Sequence, residues 1–88
     1  MSRQRSLEVI RQAEFVTIGE LVRLTGVRYS TLKFYTEEGL LPFEQAEENL
    51  TRRYRREETV RRLEAIKALK RQGLSVPEIK EKLKEGAV

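Results

Sequence analysis

The sequence predicts a mainly α-helical fold built on a helix-turn-helix pair, with a loop or β-hairpin and two further helices after it. Three observations predict it. Two capping-box signatures, Thr17-Ile-Gly-Glu20 and Ser75-Val-Pro-Glu78, mark helix starts. Apolar residues recur at three- and four-residue spacing on either side of Gly26, and residues 43–54 lack helical periodicity altogether.

In chain order, Leu7, Ile10 and Ala13 fall on one side of a helical wheel, which predicts a helix over 3–14. A second helix starts at Ile18, because Thr17 can accept the Glu20 N–H while the Glu20 carboxylate reaches back, a reciprocal cap worth about 1 kcal/mol. Ile18, Leu21 and Val22 form its apolar side, and Gly26 supplies the left-handed residue that ends it near residue 25. A third helix, about 28–38, follows at once, with Tyr29, Leu32, Tyr35 and Thr36 on its inner side, until Gly39 and Pro42 stop it.

The next stretch, Phe43 to Tyr54, reads as a loop or hairpin ending in the weak alternation Thr51-Arg52-Arg53-Tyr54. If Tyr54 points inward, alternation turns Arg53 and Arg55 to one side and leaves Arg52 beside the ring. Val60, Leu63, Ile66 and Leu69 define a helix over 57–71 that Gly73 terminates, and Ile79 and Leu83 share one face of a final helix. The Gly and Pro residues mark turns within one unit rather than boundaries between domains.

Composition narrows the function. The 88 residues are 39% hydrophobic and 36% charged, and apolar runs never approach the roughly 20 residues of a membrane span, so neither a transmembrane segment nor a secretory signal is expected and the cytoplasm is the expected location. With neither cysteine nor histidine, disulfides and thiolate metal sites are excluded and structural zinc is not expected. No nucleophile and base can be paired and no glycine-rich phosphate loop is present, so an enzyme is not expected. The net charge of +4 and pI near 9.7 suit a nucleic-acid partner. The charge is uneven: Glu44, Glu47 and Glu48 make 43–51 acidic, whereas 52–62 sets six arginines against Glu57 and Glu58.

The pieces TIGEL, GV, TLKFYTEEGLL, TRRY and QGLSVPEIKEKL, in this order, resemble the DNA-binding domain of the MerR family of bacterial transcription regulators. The resemblance covers about residues 17–83 and implies a winged helix-turn-helix, residues 17–85, with a short β-hairpin wing and an additional N-terminal helical extension, residues 1–16. It implies sequence-specific binding of double-stranded DNA, with the helix at 28–38 in a major groove and wing arginines on phosphates. Two departures stand out: Thr51 replaces the first tyrosine of the family's wing pattern, and the wing is acidic where the family's is often basic. The family's regulators continue past Leu83 into a dimerising helix and an effector domain, so no small-molecule effector site, metal or cofactor is carried over. A homodimer, or assembly on DNA, is left open, with the N-terminal helix as a substitute apolar surface.

The candidate DNA-contacting residues are Thr17, Arg28, Tyr29, Ser30, Lys33, Phe34, Tyr35, Arg52, Arg53 and Arg55. Arg28, Tyr29 and Ser30 lie where helix-turn-helix proteins present base-reading side chains, although Tyr29 could instead pack under the turn. Lys33 stands at the family's arginine position and can reach a phosphate or a guanine edge without the two-pronged guanidinium geometry. Phe34 faces outward, either covered by the wing or set against the sugar-phosphate. Tyr35 puts its ring in the core with its hydroxyl at the surface. Arg52 and Arg53 are the first choices for phosphates, with Arg55 and Arg56 near a helix start, where positive charge opposes the helix dipole. About six phosphate contacts would give a steep loss of affinity with salt. Two other functions fit the same residues: an architectural or recombination directionality factor, or a protein-interaction module that has lost DNA binding.

Overall fold

The computed structural model describes residues 4–48 and 50–85. Its elements are α1 (Leu7–Gln12), β1 (Phe15–Val16), α2 (Ile18–Thr25), α3 (Tyr29–Glu37), β2 (Tyr54–Arg55), α4 (Arg56–Arg71) and α5 (Val76–Lys84). This is a winged helix-turn-helix, mainly helical, with a minimal antiparallel sheet.

Each boundary follows from a local interaction. Both expected capping boxes form: Thr17 Oγ1 accepts the Glu20 N–H at 3.2 Å while Glu20 accepts the Thr17 N–H at 2.9 Å, and Ser75 and Glu78 do the same at the start of α5. Gly26, at φ +75°, ends α2, and Gly39, at φ +78°, ends α3, where the Leu40 N–H returns to the Tyr35 carbonyl at 2.8 Å. The expected helix over 3–14 is shorter than predicted, and its first residue lies outside the described stretch. Ser6 caps it by accepting the Val9 N–H, and beyond Ala13 the chain becomes extended to pair with a distant strand.

That pairing had no counterpart in the sequence reading. Phe15 lies opposite Arg55 and Val16 opposite Tyr54. One residue earlier, Arg53 forms an isolated antiparallel bridge with Glu44, N to O 2.7 and 2.8 Å, which closes the wing. The chain at 53–55 therefore serves the wing through Arg53 and the N-terminal segment through Tyr54 and Arg55.

One core joins all of these elements. Ile10, Val16, Leu21, Leu32, Leu40, Leu41, Tyr54, Ile66 and Ile79 are buried in it, and Leu63, Leu83 and the Tyr35 ring border it. Ile10 is fully buried, so the inner side of α1 belongs to the core, while Val9 on its outer side is exposed. Two side chains tie down this N-terminal part. The Arg5 guanidinium bonds both Glu20 carboxylate oxygens, at 2.7 and 2.8 Å, and the Phe15 carbonyl at 3.1 Å. Arg56 donates to the Ala13 carbonyl at 2.7 Å. The positive charge at the start of α4 thus has a structural use, as a tether that outweighs a dipole penalty of some tenths of a kcal/mol. Among the described residues no helix is long and apolar enough to cross a membrane.

Two measurements follow from this packing. Thr59 is fully buried in α4 and its hydroxyl has no partner among the described residues. Thr59→Val keeps the branched shape and removes the unpaired hydroxyl, so it should stabilise the fold by about 1 kcal/mol, read as a higher urea midpoint. The second concerns Glu20, whose side chain keeps 13% of its exposure. The Arg5 hydrogen bonds, helped by the Thr17 N–H, hold its carboxyl below the ordinary range against the opposing effect of burial. A depressed folded pKa means stability that is present above the unfolded value and is lost as pH falls through the folded one. The stability gap between wild type and Glu20→Gln should therefore be widest near neutrality and shrink as the pH falls below the ordinary glutamate range and through the lower folded value, as urea titrations on the acid side will show.

Candidate nucleic-acid interface

Helix α3 is held on one side and free on the other. Leu32, Tyr35 and Thr36 are buried, while Ser30, Lys33, Phe34 and Glu37 are exposed, together with Arg28 at the N-cap and Tyr29 in the first turn. Tyr29 shares the wheel side of Leu32, yet 53% of it is exposed, so it does not pack under the turn. It belongs to the first turn of α3, just beyond the Gly26 turn, where the core does not reach.

Phe34 is 48% exposed, so the wing does not cover it. The wing's own phenylalanine, Phe43, turns toward Tyr54, with ring centroids 6.2 Å apart, whereas the Phe34 ring neighbours that of Tyr35, at 6.0 Å. Tyr35 places its ring in the core and its hydroxyl 3.5 Å from the Lys70 ammonium.

The conditional reading of TRRY holds for burial, but the ring that Arg52 lies over is Phe43 rather than Tyr54. Tyr54 is buried, Arg53 and Arg55 are exposed, and Arg52 is partly buried. Their surroundings differ. Arg52 pairs with Glu37 at 3.0 Å and lies 4.7 Å over the Phe43 ring, which joins the wing to the end of α3. Arg55 lies between Glu14 and Glu44, both at 3.4 Å, with its guanidinium 4.9 Å over the Phe15 ring. Arg53 forms no ion pair among the described residues, and shares a groove with Arg5, Thr17 and Glu20. The structure thus sets Arg53 and Thr17 on one groove, links Arg52 to the end of α3, and turns Arg55 toward carboxylates.

Four participants escaped the sequence reading: Arg5, Phe15, Glu37 and Phe43. Arg5 and Glu20 are 15 residues apart and carry no local signal of their pairing. Phe15-Val16 does have an aromatic and a β-branched residue directly before a helix cap, but two residues are too few to show alternation. For Arg52, the acidic Glu37 at the exposed end of α3 was the available clue.

The architecture agrees with comparison to known proteins. The family model described as MerR HTH family regulatory protein matches residues 16–86. An HTH-type transcriptional activator SoxR homolog from Chromobacterium violaceum is 41% identical over 64 residues, 73% of this chain and 42% of that protein. The mercuric resistance operon regulatory protein of Serratia marcescens is 36% identical over 74 residues, 84% of this chain and 51% of that protein. The chain thus spans about half the length, or less, of the curated relatives it matches. No solved structure matches it. With most of its length matched by the family model and with these relatives, the chain belongs to the MerR family of helix-turn-helix regulatory proteins.

Proposed function

We propose that this domain binds double-stranded DNA sequence-specifically as the DNA-reading part of a transcription regulator. The observation that carries this reading is the division of α3. Leu32, Tyr35 and Thr36 anchor it, Ser30, Lys33 and Phe34 are exposed on its outer side, and Arg28 and Tyr29 are exposed at its N-terminal end. A helix fixed this way can enter a major groove as a rigid body, N-terminal end first, which is how helix-turn-helix proteins meet base edges. The regulatory names of the relatives support the same reading.

Within it the residues divide by chemistry. Arg28 has the two-pronged geometry suited to guanine, and Tyr29 and Ser30 stand beside it to read neighbouring edges. Lys33 supplies a positioning contact to a phosphate. The exposed Phe34 ring packs against the sugar-phosphate and offers no hydroxyl donor. Arg53 and Thr17, which share a groove, take an adjacent phosphate. Arg52 contributes in two ways: its charge lies near the backbone, and its contacts with Glu37 and Phe43 link the wing to the end of α3. Arg55, already flanked by Glu14 and Glu44, adds the weakest contact of the three wing arginines. Two domains would bind inverted half-sites, as a homodimer or by assembly on the DNA, in the cytoplasm.

Selection of bound sequences from random duplexes, followed by fluorescence anisotropy across a salt series, tests the proposal. Wild type should enrich a defined motif. Lys33→Ala and Arg53→Ala should each weaken binding across all sequences and reduce the salt slope by about 1, whereas Arg28→Ala should cost about 1–3 kcal/mol on the preferred site and relax its sequence preference. No binding to any duplex at low salt would refute the reading.

A further inference from the structure

The turn between α2 and α3 and the C-terminal half of α4 enclose a surface groove lined by the half-buried Val27 and by edges of Tyr35, Leu63 and Ile66, which are otherwise buried. Lys67, Lys70 and Arg71 line its rim, and none of the three has an ion-pair partner among the described residues. A groove of this chemistry suits an occupant that carries carboxylates around an apolar side chain.

The wing tip of the same chain has that composition. Glu47 and Glu48 are exposed and without ion pairs among the described residues, and Leu50 beside them is 50% exposed. The two patches lie toward opposite ends of α4. The wing base, Phe43 and Glu44, lines a cleft with Arg55 and Glu58 at the start of the helix, whereas the groove runs along residues 63–71. The nine residues from Glu58 to Lys67 correspond to about 13 Å of helix.

We propose that the groove receives the wing tip of a second copy of this chain, with Leu50 over Val27, Leu63 and Ile66 and with Glu47 and Glu48 against Lys67, Lys70 and Arg71. Joining two different patches in this way links copies head to tail. It also gives the acidic wing a use that no phosphate contact could provide, and it is independent of whether the domain binds DNA.

Sedimentation equilibrium of the protein without DNA, at low salt and over a concentration series, tests this. The mean mass of wild type should rise with concentration, and added salt should reverse the rise. Glu47→Lys with Glu48→Lys in one variant, and Lys67→Glu with Lys70→Glu in another, should each sediment as monomers. An equimolar mixture of the two variants should associate again, because each then offers the other a complementary tip and groove. Circular dichroism of both variants establishes that they are folded. Monomeric wild type at every concentration, association that survives either charge reversal, or a mixture that stays monomeric would each overturn the proposal. The last result, joined to loss of duplex binding by Lys67→Glu with Lys70→Glu, would assign the groove to phosphates instead.

Discussion

The hydrogen bond between Tyr54 and Thr36, 2.9 Å long and buried, is the contact on which the geometry of the domain depends. Thr36 Oγ1 spends its single proton on the Leu32 carbonyl at 2.8 Å, so the Tyr54 hydroxyl must be the donor to Thr36. This fixes the direction of the bond and makes it a buried polar link between the outward-facing helix and the strand that carries the wing. Losing Thr36 would leave the buried Tyr54 hydroxyl without this acceptor, a penalty of about 1–3 kcal/mol, whereas Thr36 without Tyr54 would keep its bond to the Leu32 carbonyl. On the outside, Arg52 and Glu37 span the same two elements. An exposed pair of this kind adds little energy, so the inner bond with its aromatic ring sets the angle and the outer pair only follows it.

A second constraint comes from the N-terminal segment. Ile10 fills part of the core, Phe15 and Val16 extend the sheet, and Arg5 and Arg56 hold the two ends of this segment against α2 and α4. Because β2 is paired by β1 on one side and lies one residue from the wing bridge, the N-terminal segment and the wing share a common support. The arginine-rich run 52–56 is therefore not one functional unit. Each arginine in it has a different set of partners, set by the alternation of the strand and by where the helix begins.

Much of the fold was legible because its determinants are local. Thr17 with Glu20, Ser75 with Glu78, and the glycines at 26 and 39 act within five residues of themselves, so their chemistry could be read directly. The inward Tyr35 and Tyr54 followed from helical and strand periods. What escaped was set by distance. The Phe15–Arg55 register, the Arg5–Glu20 pair and the Arg52–Glu37 pair join residues 15 to 40 apart, and charged side chains carry no periodic mark of which partner they choose. Tyr29 shows another limit: a helical wheel gives the side a residue faces, but not whether the core extends that far.

The wing loop, closed by the lone Glu44–Arg53 bridge, has an evolutionary consequence. Among the described residues its tip contributes none of the buried core, and the entropy of closing a loop grows only logarithmically, so doubling its length costs about 0.6 kcal/mol. Length and charge at the tip can therefore drift at little thermodynamic expense while Tyr54 keeps the base in register. In such a scaffold the tip is where related domains can diverge in partner choice without first refolding the helix that faces outward.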